Sequence, residues 1–426
     1  ALRGYAKSNL TNSAVIFSAG MNPRLYNYLG LCNEFDLNED GLFSKKVIVK
    51  VSDYRSALIQ GKYLAKKGIW VSEFRIESGL NCGGHAFATE GYLMGPILEE
   101  FRTNKQELID SLFEIYTAAL LNKNKRCATP PKLNISVQGG IGTYEEDDFL
   151  HRHYNIESTG WGTPFLLVPE ATTVDEDTLK LLCAAKEKDV VLSRNSPLGV
   201  RFHYLKGTSS HKEKLARIND DKPGSPCTEK HLAFNTEFTK EPICTASKKY
   251  QKLKIAQLQS LKLPEAAYNK QLGEVLDKEC LCIGLSNSAA ISYKQTFVKK
   301  LESVTICPGP NIANFSEVVS LQTMTDHIYG RKNILTNSQR PHMFIAELYL
   351  YLDYLREELT ADYQTAQFDK KRKYYASFYQ NLFNGINYYR WLPGVALNGR
   401  EAFIKSLDLA GIELDYLNYQ YSIQHK

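Results

Sequence analysis

The 426-residue sequence contains no run of 18 or more apolar residues, so no segment reads as a membrane-spanning helix. The opening stretch, ALRGYAKSNLTNSAVIF, lacks the apolar centre of a signal peptide. Nine cysteines are scattered along the chain without a single CxxC pair, which excludes a disulfide framework. They read as mostly reduced thiols of a cytoplasmic protein. A strong excess of one charge is also missing. The 52 Lys and Arg against 47 Asp and Glu leave a net charge of +5, and the lysines are scattered among acids. That balance excludes a broad electrostatic footprint for nucleic acid. There is no internal repeat and no low-complexity segment. What remains is 43% hydrophobic and 23% charged, enough for an ordinary core in one large domain or two to three smaller ones.

Short β-rich runs alternate with helical segments in the first part. AVIFSAG (14–20), KKVIVKV (45–51), IWVSEFRI (69–76), LNISVQGGIG (133–142) and STGWGTPFLLVPE (158–170) read as strands. SDYRSALIQGKYLAKKG reads as an amphipathic helix beginning at a Ser-Asp cap. This rhythm predicts βαβ units and a parallel sheet, an α/β fold. From about Leu192 the chain becomes rich in turn formers and charge, which predicts an irregular extension. From Met343 it predicts mostly helix, rich in tyrosine, with apolar residues at three- and four-residue spacing. The expected division is 1–191, 192–342 and 343–426.

Glycines stand at the strand ends. Gly83-Gly84 precede His85 in ESGLNCGGHAFATEG, Gly139-Gly140 follow strand 133–138, and Gly162-Thr163 follow the next strand. Glycine lets backbone N–H groups approach a ligand closely. In a β/α barrel, such loops at strand C-termini share one mouth and can form a phosphate site. The alternative is that these glycines only make tight turns.

The ordered set NCGGH, ISVQGGIG and GWGTPFLLVPE resembles the nitronate monooxygenase family and the related flavin-dependent enoyl reductases of polyunsaturated fatty acid synthases. The resemblance spans about Ala14 to Leu181. It implies the C-terminal part of a (β/α)8 TIM barrel, with about five parallel strands, holding FMN. It implies that Gly139, Gly140, Gly162 and Thr163 bind the flavin phosphate. It further implies that His85 is catalytic, with Gly83 and Gly84 setting its backbone against the flavin, while Gln138 and Lys50 reach the ring. The main activity implied is oxidation of nitronate-like substrates with oxygen. The alternatives are reduction of an enoyl thioester and a flavin-free scaffold that binds an acyl carrier protein. The sequence departs from the family in three places. Cys82 stands where the family usually has a small or acidic residue, and it reads as a buried spectator rather than a flavin-adjacent thiol. The segment 86–132 is longer than a plain βα loop and reads as a lid or wall. The first three strands of a barrel have no counterpart before Ala14, and the chain begins without methionine, so an N-terminally incomplete piece is expected. Five strands do not close a barrel; they should form an open arc.

Cys227, Cys244, Cys280, Cys282 and Cys307 fall in the extension. Gathered thiolates could hold a metal or iron–sulfur cluster, but their spacing fits no standard motif and ordinary packing is the expectation. KKRKYY (370–375) reads as a solvated helix face.

Overall fold

In the computed structural model, the structure describes residues 1–38, 41–83, 89–295, 303–396 and 399–424. Five strands form one parallel sheet in sequence order: β1 (Ser13–Phe17), β2 (Lys45–Val51), β3 (Glu73–Glu77), β4 (Asn134–Gln138) and β5 (Ser158–Gly160). The sheet curls as a half-barrel, as the strand rhythm predicts. Its register sets two faces. Val47, Val49, Val51, Phe74, Ile76, Ile135 and Val137 are buried on the outer, helix-covered face. Lys50, Glu73, Arg75, Glu77, Ser136 and Gln138 occupy the opposite parity and line the inner face.

The helices α1 (Leu2–Ala6) and α2 (Pro23–Leu29) flank β1 in the chain, and α3 (Tyr54–Ala65) joins β2 to β3. The α3 cap is Asp53, whose carboxylate accepts the Ser56 N–H at 2.7 Å. The long segment after residue 86 is neither a lid nor an added element. It carries α4 (Met94–Leu121), the crossover helix between the parallel strands β3 and β4, which any parallel pair requires. Its Leu98, Phe101, Leu108 and Leu112 are buried, so it is a wall of the sheet. The helix α5 (Tyr144–Tyr154) then leads to β5. β5 is shorter than its apolar run predicts, because Gly162 and Pro164 turn 163–167 into a 3-10 helix.

The middle of the chain has more regular structure than its turn-rich composition suggests. After α6 (Glu176–Ala184) comes an antiparallel hairpin of β6 (Val190–Ser193) and β7 (Phe202–Leu205). Then follow α7 (Ser209–Asn219), α8 (Lys248–Ser260), α9 (Glu265–Leu276), α10 (Leu281–Ser292) and α11 (Leu321–Ile328). Hydroxyls of Thr208, Ser247 and Ser320 cap α7, α8 and α11, and this capping lets such polar segments form helices.

The C-terminal helices are α12 (Met343–Asp362), α13 (Ala366–Trp391) and α14 (Arg400–Tyr421). They share one continuous core with the sheet and α4. The tyrosines knit them together. Phe344 stacks on Tyr389 with centroids 4.8 Å apart, and the Tyr389 hydroxyl accepts the Gly95 N–H at 3.0 Å. Within the basic run of α13, Lys370 and Lys373 are exposed, while Lys371 reaches Glu358 and Asp362 and Arg372 reaches Asp369. No helix among the described residues is long and apolar enough to cross a membrane.

Candidate functional site

The C-terminal ends of β2, β3 and β4 bring four polar side chains into one network. Glu77 Oε1 lies 3.0 Å from Lys50 Nζ and accepts from Asn81 Nδ2 at 2.6 Å and Gln138 Nε2 at 2.6 Å. Gln138 Nε2 also reaches Asn81 Oδ1 at 3.2 Å. Lys50 and Gln138, two residues the resemblance places at the ring, therefore meet at this mouth. Glu77 and Asn81 join them. Glu77 was discernible from its inward parity with Glu73 and Arg75; Asn81 carries no such signal. The network is half-buried, and its donors and carboxylate face a space that solvent reaches.

The glycines of the next two loops gather around residues 80–82. Gly139 and Gly140 have φ of +105° and +83°, a backbone region that favours glycine. A Cβ on Gly139 would stand 3.1 Å from the Asn81 nitrogen, and one on Gly140 would stand 2.5 Å from Leu80. A Cβ on Gly162 would stand 2.5 Å from Cys82 Sγ. The Thr163 hydroxyl is buried; it accepts the Gly309 N–H at 3.1 Å and is hydrogen-bonded to the Cys82 sulfur. Burial pushes the Cys82 thiol up, so it is not poised as a thiolate. Gly83 donates its N–H to the Cys307 carbonyl at 3.2 Å. Gly84 and His85 lie outside the described residues.

These contacts test the fit of a flavin. At the ring end Lys50 and the second N–H of Asn81 are left as donors at a half-exposed mouth, whereas both N–H groups of Gln138 go to Glu77 and Asn81. The phosphate end does not fit as the loops stand. The bare faces of Gly139, Gly140 and Gly162 are covered by the chain itself, and Thr163 is committed to Gly309 and Cys82.

The loop 78–82 is held from two distant parts of the chain. His203 on β7, fully buried, donates Nε2–H to the Gly79 carbonyl at 2.7 Å. Its Nδ1 finds no partner among the described residues. Burial pushes the imidazole down, so it is neutral. On the other side, Glu347 of α12 is buried and accepts the Met94 N–H at 2.7 Å, and also bonds Ser78 and Gly79. Burial raises its carboxyl to about 7. The Gly139–Gly140 turn is tied down likewise. Arg340 donates to the Gly140 carbonyl at 2.7 Å and to both oxygens of buried Glu146, at 2.7 and 2.9 Å.

No protein-family model matches the chain. No curated protein matches it either. Three solved chains do. One is the enoyl reductase domain of MlnA from the macrolactin biosynthesis cluster of Bacillus amyloliquefaciens, 16% identical, with 82% of this chain and 77% of that one covered at a TM-score of 0.38. A likeness of that size fixes neither fold nor activity.

Proposed function

We propose that the chain is part of a barrel oxidoreductase that reduces enoyl thioesters presented by an acyl carrier protein. The observation that carries this reading is the mouth of Lys50, Glu77, Asn81 and Gln138 at adjacent strand ends. Reduction of an enoyl thioester adds hydride to the β-carbon and builds negative charge on the thioester oxygen. An ammonium and an amide N–H held in place beforehand suit that oxygen. Glu77 positions both by accepting from each. His85 orients the thioester carbonyl in this proposal, on the strength of the sequence resemblance. FMN is the cofactor proposed, and it would supply the hydride. The covered glycines mean that segments 78–83 and 307–310 must part from Gly140 and Thr163 to admit its phosphate.

That same covering favours a second reading, a flavin-free scaffold that binds a carrier protein. Titration with FMN, followed by quenching of flavin fluorescence, separates the two. Saturable binding of one FMN per chain supports the reductase. Absence of binding, with capture of an acyl carrier protein by the flavin-free chain, supports the scaffold and overturns the reductase.

A further inference from the structure

The last helix, α14, is apolar on two opposite faces. Phe403, Leu407, Ala410, Leu414, Leu417 and Tyr421 are buried in the common core. Leu409, Ile412, Tyr416 and Tyr419 point the other way and are 52, 67, 60 and 82% exposed. Their alternating spacing of three and four residues sets them in one line along the helix, with exposed Lys405 at its head. A helix that only covers a core carries polar residues on its outer face. A contiguous apolar stripe there marks a surface that meets a partner. Ion pairs flank the stripe. On one side Asp408 pairs with Arg390 of α13 at 2.8 Å, and on the other Glu413 pairs with Arg356 of α12. Asp415, on the Asp408 side, accepts from the Tyr379 hydroxyl at 2.9 Å.

We propose that two copies of this chain pair through α14, antiparallel, about a two-fold axis at Ile412. Turned end for end about that residue, the stripe matches itself. Ile412 meets Ile412 of the partner subunit, and Leu409 meets Tyr416 of the partner subunit. Lys405 lies against the ring of Tyr419 of the partner subunit, a cation–π contact that gives this exposed ammonium a place in an apolar line. In a two-fold interface each such contact occurs twice. The flanks are complementary in the same arrangement, because Arg390, beside Asp408, comes next to Asp415 of the partner subunit. A lipid surface is the poorer occupant, since Asp408, Glu413 and Asp415 would face anionic headgroups. The area also suits a second copy. At about 200 Å² for a whole tyrosine, the four exposed side chains of both copies remove roughly 1,000 Å² from water, the low end for a specific interface. The pairing is therefore reversible and depends on concentration, and it leaves the strand mouth out of the interface.

The test is sedimentation velocity of the full chain over a concentration series in the micromolar range. The expected result is a shift from the 48.3 kDa species to one of twice that mass as concentration rises. Ile412→Lys sets two like charges on the axis and should leave only the smaller species; circular dichroism checks that it is folded. Cross-linking with copper phenanthroline and air reads the direction of pairing. Ile412→Cys should give a covalent species of twice the mass, and so should Lys405→Cys/Tyr419→Cys. Tyr419→Cys alone should not, and the unaltered chain, with its own nine cysteines, is the control. A single 48.3 kDa species at every concentration, whether or not it captures an acyl carrier protein, would overturn the proposal, as would pairing that Ile412→Lys leaves unchanged. Cross-linking of Tyr419→Cys alone would overturn the antiparallel arrangement.

Discussion

His203 and Gly79 are 124 residues apart in sequence, yet the buried imidazole donates directly to the glycine carbonyl at 2.7 Å. This bond fixes the Nε2–H tautomer and anchors the loop that leads into Gly83 and His85 to the β6–β7 hairpin. The ring is held neutral in the fold, while in the unfolded chain it protonates near its ordinary value of 6.5. The unfolded state therefore binds more protons as pH falls below that value, and stability present above it is lost on acidification. A melting series from pH 7.5 down to pH 5 should show this loss in the unaltered protein. The loss should be smaller in His203→Gln, whose amide can still donate to Gly79. Parallel profiles for the two would contradict the assignment.

Glu347 has the opposite sign. Its carboxyl is raised from 4.5 to about 7, so the folded state holds a proton that the unfolded state has released. Stability from this group is full below pH 4.5 and falls as pH rises through 7, by up to about 3 kcal/mol. Glu347→Gln removes the titration. The melting-temperature difference between the variant and the unaltered protein should therefore grow in favour of the variant from pH 5 to pH 8.

Gly79 is pressed from a third side. A Cβ there would stand 2.6 Å from the Tyr351 ring. Gly79→Ala should destabilise the fold by about 1–3 kcal/mol, the usual scale for overpacking. Adding Tyr351→Leu should recover part of that loss in urea unfolding. A neutral Gly79→Ala would mean that the loop is not clamped.

Arg340 and Glu146 form a buried, two-pronged pair that also ties the Gly140 carbonyl. Arg340→Met leaves the Glu146 carboxylate buried without its partner, and should cost about 3–5 kcal/mol. The double variant Arg340→Met/Glu146→Gln should cost clearly less, because it removes the uncompensated charge. Denaturant unfolding of the three proteins measures the difference.

The period-two and glycine signals made the sheet legible. The five strands lie parallel and in order near their apolar runs, because outward positions of β2, β3 and β4 such as Val49, Phe74 and Ile135 are buried and apolar; β5 is the exception, three residues long with Thr159 outward. The helix α4 was harder to read. Its length hides that it is the crossover any parallel pair needs. The extension holds more helix than its turn-rich composition suggests, because capped polar helices such as α7 and α8 have weak apolar patterning. In the mouth, Lys50 and Gln138 were visible from their positions at strand ends. The residues that hold the next loop were not, since the Met94 N–H and the Glu347 carboxylate that accepts it are 253 residues apart. No local pattern encodes such a contact.

The most direct test of the proposed activity is an anaerobic assay with FMN, NADPH and an enoyl thioester of pantetheine, reading loss of NADPH and formation of the saturated thioester. The account predicts turnover by the unaltered chain. Lys50→Met and Asn81→Ala should each lower the rate by about 10²-fold or more, the scale of losing one donor to a developing oxyanion. Turnover that these two substitutions leave unchanged, or no reduction of the thioester while a nitronate is oxidised, would contradict it.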